Sequence, residues 1–123
     1  MNFNMVKIAT EIVTMPRRMH SEDKSPFALL EATGYFELHD QVSVSDIREV
    51  VSHTSECVQE WMQYSEDQRS SAWYFTLNDE GLYETGHFDI RSVPNDTNRV
   101  QYENAIDACA AFIKHEIESI RVL

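Results

Sequence analysis

Glycine is scarce in this chain, three in 123 residues, and none falls in a phosphate-cradling pattern. No P-loop, dinucleotide-binding glycine repeat or G-x-S-x-G elbow is present, so the enzyme classes built on those motifs lose their anchor. Cysteine is just as sparse. Cys57 and Cys109 each sit in a helical apolar pattern and neither belongs to a C-x-x-C, which predicts reduced, buried thiols and no disulfide framework. No apolar run reaches the roughly 18 residues a membrane-spanning helix needs. Glu11 interrupts the apolar N-terminal stretch, so a signal peptide is not expected and the chain is read as cytoplasmic. Bases are few: 10 Lys plus Arg stand against 21 Asp plus Glu, a net charge of -11 and a pI near 4.7. So acidic a protein repels phosphate backbones, and direct nucleic-acid binding is not expected.

The residues that carry chemistry are also thinly spread. His20, His39, His53, His87 and His115 are dispersed, and His115-Glu116 lacks the second histidine that a helical zinc site requires. Neither a metal nor a cofactor is expected, and carboxylate pairs arise here from abundance alone. The chain is therefore read as a non-enzyme. Its length suits a single domain over 1–123, large enough to bury roughly two thirds of its unfolded surface.

What is present in strength is a hairpin signal over 71–89. Two runs rich in aromatic and β-branched residues flank Asn78-Asp79-Glu80-Gly81, a cluster suited to a turn. Pairing Leu77 with Leu82 sets Phe75 opposite Glu84 and Trp73 opposite Gly86. Trp73, Phe75, Leu77, Leu82 and Phe88 then share the face that helices must cover, and Tyr74, Thr76, Tyr83, Thr85 and His87 the other. Pro94-Asn95-Asp96 reads as a turn, with Val100 and Tyr102 in a third antiparallel strand. Elsewhere the periodicity is helical. Met5, Ile8, Ile12 and Met15 form a stripe over Met1 to Met15, which Pro16 should end in a polar connector reaching Pro26. Ser25-Pro26 opens a short helix closed by Gly34, and Ser43 caps one carrying Val44, Ile47, Val50 and Val51. After a break near His53 to Ser55, Cys57, Val58, Trp61 and Met62 form the next, leading to a linker from Ser65 to Ser71. From Asn104, the apolar stripe of Ile106, Cys109 or Ala110, Ile113, Ile117 and Ile120 marks the strongest helix, expected to lie across the hairpin beside Trp73. The class is α+β: a small antiparallel sheet of about three strands packed with several helices, including a long C-terminal one.

The acids are unevenly placed. From Glu37 to Asp67 there are eight acids and one base, a local net of -7. Such a run is most often a solvated helical face, and it also suits a basic partner whose approach long-range attraction speeds. The candidate partner-binding residues are Asp46, Glu49, Glu56, Glu60, Glu66 and Asp67. Tyr74, Tyr83 and His87, on the sheet face left open, are candidate aromatic anchors.

The segments Trp61 to Phe75, Tyr83 to Phe88 and Ala105 to Ile120 resemble the small cytosolic immunity proteins encoded beside toxins of bacterial contact-dependent growth inhibition and related polymorphic toxin systems. The resemblance implies a protein without turnover that neutralises a cognate toxin domain, many of which are nucleases such as RNases with basic clefts. Such an inhibitor sits in the cleft as a nucleic-acid mimic or binds beside it, in a tight one-to-one complex, and the free chain is taken as a monomer. The competing reading is a small enzyme or ligand-binding domain with a site around the hairpin, drawing on Glu84, His87 and Asp89. That reading requires a pocket in which titratable groups converge.

Overall fold

The computed structural model describes residues 3–68, 72–89, 91 and 96–123. Met1, Ser70, Ser71 and the Pro94-Asn95 part of the expected turn lie outside the described residues.

The chain opens with α1 (Phe3–Val13), whose Ile8, Ala9, Ile12 and Val13 face inward. Pro16 does not end the helical run in a connector. After the single break at Thr14, α2 (Met15–Glu22) begins at once with Pro16 in its first turn. There the ring's missing N–H costs no helical hydrogen bond. The polar residues expected to form a linker are helical instead, with Arg18 and Glu22 paired one turn apart at 3.1 Å. Asp23, left-handed at φ 52°, ends α2, so the true connector is Asp23 to Ser25. Ser25 accepts the Ala28 N–H at 3.2 Å and starts α3 (Pro26–Ala32), and Gly34 at φ 86° turns the chain into α4 (Tyr35–Leu38). Tyr35 is fully buried; its hydroxyl donates to Glu118 at 2.6 Å and accepts from Lys114 at 2.8 Å.

Helix α5 (Val44–His53) is opened by a reciprocal cap, Ser43 Oγ accepting the Asp46 N–H and Asp46 accepting the Ser43 N–H. Ile47, Val50 and Val51 are buried as expected, but Val44, in the first turn, remains 41 % exposed. The break falls where the sequence suggested. Helix α6 (Cys57–Asp67) follows and absorbs Ser65, Glu66 and Asp67, which were expected in a linker.

The sheet is antiparallel in the order β1 (Ala72–Leu77), β2 (Tyr83–Phe88), β3 (Asp96–Tyr102). The expected register is off by one residue. Leu77 pairs with Tyr83, Phe75 with Thr85 and Trp73 with His87. The cause is Asn78: its Oδ1 accepts the N–H of Glu80 and of Leu82, at 2.9 and 3.1 Å, holding Leu82 inside a five-residue loop. Because side chains alternate, a one-residue slip moves all of β2 to the other face. Tyr83, Thr85 and His87 therefore share the helix-covered side with Trp73 and Phe75. Tyr74, Thr76, Glu84, Gly86 and Phe88 form the open side. Opposite Gly86 the register of β3 shifts, and Asn98 there takes φ 55°, the mark of a bulge.

Helix α7 (Ala105–Arg121), capped by Asn104, closes the covered face. Phe112 lies 5.8 Å from Phe75, 6.0 Å from Trp61 and 6.4 Å from Tyr64, centroid to centroid, and His115 stacks on Trp73 at 3.8 Å. Trp61 is 1 % exposed and satisfies its indole N–H on the Val13 carbonyl at 2.9 Å, tying α6 to α1. A single apolar cluster thus joins the helices to the sheet.

Candidate functional site

The acids nominated from the sequence fall on two helices with different neighbours. α5 packs on α1 and α7, whereas α6 packs on β1, α7 and α2. On α5, Asp46 is spent on the cap and Glu49 meets His53 at 3.1 Å. Glu56, at the N-cap of α6, and Glu60, Gln63 and Asp67 recur at spacings of four, three and four and so line one helical face, with Glu66 on its flank. From Glu56 to Asp67 this face runs roughly 16 Å at the helical rise.

Glu60 is held across the molecule by Arg17 of α2, with Nη2 to Oε1 at 2.7 Å and Nε to Oε2 at 3.1 Å. The hydrogen bonds it donates to Glu60, with Glu56 nearby, keep the guanidinium more firmly protonated than usual. Both partners are partly exposed, 42 % and 31 %, so the pair is worth at most about 1 kcal/mol. Asp67 accepts from Gln63 at 3.0 Å.

Beside this acidic face lies a groove of about 680 Å³ between α2 and α6. Pro16, Met19, Pro26 and Tyr64 give it an apolar floor, and Arg17, Glu60 and Asp67 its charged rim. Behind Tyr64 and Gln68, which also line it, sits the Glu116 carboxyl, 5 % exposed. Burial raises its pKa above the usual carboxylate range, against the opposing bonds from Tyr64 and from Gln68 at 3.1 Å. The Tyr64 hydroxyl is pushed up in turn, by burial first and by Glu116 second.

The open sheet face holds a second polar centre. Glu84, 8 % exposed, accepts from the Tyr74 hydroxyl at 2.7 Å, Asn78 Nδ2 at 3.2 Å and Gln101 Nε2 at 3.4 Å, with Arg99 at 3.9 Å. Burial alone would raise its pKa, but these donors and the guanidinium outweigh it and hold it below the usual value. The Tyr74 ring lies across Gly86, where an added Cβ would stand 2.6 Å from its hydroxyl.

Of the three aromatic anchors, only Tyr74 is on the open face. Tyr83 packs against Phe75, with centroids 6.3 Å apart, and His87 meets the Trp73 edge at 5.2 Å, both toward the helices. The hairpin trio is not assembled either: Glu84 and His87 point to opposite faces of β2, and Asp89 accepts the Arg91 N–H at 2.9 Å. Among the described residues, no group of three or more His, Cys, Asp or Glu is placed to hold a metal ion. Cys57 and Cys109 are free and buried, and their thiols face one another between α6 and α7. Sequence reasoning missed the α2 side of the groove because Pro16 was read as a stop. The spacing of Met15 and Met19, and of Arg18 and Glu22, carried the helical signal.

The chain matches no protein-family model, no curated protein and no solved structure. Among the described residues, no helix is long and apolar enough to cross a membrane.

Proposed function

We propose that this protein is an acidic immunity protein, a cytoplasmic inhibitor that binds and neutralises a cognate basic toxin domain, most simply an RNase or other nuclease, and performs no turnover of its own. The observation that carries the reading is the α6 face, where Glu56, Glu60 and Asp67 align beside a groove with an apolar floor. Charge of one sign next to desolvatable apolar surface is what an inhibitor of a cationic protein requires. The charge accelerates encounter, and the apolar contact slows dissociation. The net charge of -11 extends the attraction beyond the contact itself and disfavours nucleic acid as the direct partner. The inhibitor is a monomer until it meets the toxin.

The test is co-expression with the toxin domain encoded alongside it, scored for growth. The reading expects full rescue and a stoichiometric complex on gel filtration. Unrelieved killing in the presence of soluble, folded protein would contradict it.

A further inference from the structure

We infer that the groove between α2 and α6 receives a basic amphipathic helix of the partner, with apolar side chains against Pro16, Met19, Pro26 and Tyr64 and cations along Glu56, Glu60 and Asp67. The partner's identity as a toxin rests on the reading above, whereas the chemistry of the groove does not.

Three features converge on this occupant. The groove runs beside α6, so its acidic rim repeats with helical spacing, and a helix laid along it presents side chains at matching intervals. Its floor is apolar, which a solvated acidic surface has no need to be. Its charge is unbalanced: the rim carries the acids Glu60 and Asp67 against one guanidinium, that of Arg17, which is taken up by Glu60. Arg17 itself shows how the site takes a cation, since its guanidinium engages both oxygens of Glu60. It acts as an internal placeholder. An incoming Lys or Arg displaces it at little cost, because a half-exposed ion pair is weak.

The probe is a helical peptide of about 18 residues with leucine on one face and lysine on the other, long enough to hold helix in solution. A peptide with glutamate in place of lysine is the control. Amide chemical-shift changes are expected on α2 and α6 with the basic peptide and none with the acidic one. Gln63→Trp fills the groove from an exposed position and is expected to weaken binding at least about tenfold, as is joint replacement of Glu56, Glu60 and Asp67 by amides. Arg17→Ala removes the competing cation and is expected to tighten binding a few-fold, an effect no merely structural role would give. Asp79→Asn in the hairpin loop is expected to leave affinity unchanged. Shifts centred on the open sheet face, equal losses from the hairpin-loop control and the α6 changes, or no binding by a wild-type protein with intact circular dichroism would each overturn the inference. The growth assay separates it from the inhibitor reading. Rescue retained by Gln63→Trp sinks the groove and leaves the inhibitor, whereas peptide binding without rescue sinks the inhibitor and leaves the groove.

Discussion

Glu84 and Glu116 are both more than nine-tenths buried, yet the open sheet face and the seam between α6 and α7 treat them in opposite ways. On the sheet, Tyr74, Asn78, Gln101 and Arg99 surround Glu84 and favour its anion. In the seam, aromatic packing by Tyr64, Trp61 and Phe112 leaves Glu116 two donors and no cation among the described residues, and burial raises its pKa above the usual carboxylate range. The contrast separates a polar surface that satisfies its charge from an apolar seam whose carboxyl has no cation beside it among the described residues. The groove beside that seam, with Glu60 and Asp67 on its rim, is the surface we assign to a cationic partner.

The comparison breaks most visibly at Phe112, where the seam and the covered sheet face meet. Phe112→Ala should cost about 3–5 kcal/mol, because three aromatic neighbours cannot collapse into the space it leaves. Thermal melts will read the loss, and one below about 1 kcal/mol would mean that the seam is not a packed core. Glu84→Gln comes next, with a loss of about 1.5–3 kcal/mol near neutral pH as charge-assisted bonds from Tyr74 and Asn78 weaken. Since the folded pKa of Glu84 lies below its unfolded value, its contribution is complete above the unfolded value and disappears as pH falls through the folded one. The wild-type advantage over the variant should therefore shrink in acid.

Glu116→Gln sharpens the comparison with the opposite sign. A folded pKa above the unfolded value means that the native state binds the extra proton, so wild-type stability falls as pH rises between the two values. The variant should lack that slope and be more stable near neutrality by on the order of 1 kcal/mol, because it removes a desolvated charge. Denaturant midpoints measured across pH will decide. A variant less stable at neutral pH would show that the carboxylate is better satisfied than its two donors imply.

Local signals were the legible ones. The caps at Ser25, Ser43 and Asn104, the stripe from Ile106 to Ile120 and the break before α6 all depend on residues within a turn of one another, and each lies where the sequence put it. The three-stranded antiparallel order was readable from turn residues and alternation. The register was not, because a single acceptor, Asn78 Oδ1, adds Leu82 to the loop, and one residue suffices to exchange the faces of Tyr83 and His87. The groove was not legible either. It exists because Arg17 and Glu60, 43 positions apart, meet across α2 and α6, and periodicity carries no information about such a meeting.

The most direct measurement of the central claim is the association rate with the toxin domain we propose as its partner, as a function of ionic strength, for the wild type and for a variant in which Asp46, Glu49, Glu56, Glu60, Glu66 and Asp67 are all replaced by their amides. The account predicts wild-type association at least about tenfold faster at low salt, with a steep salt dependence that flattens in the variant. Equal rates and equal slopes for the two proteins would contradict it.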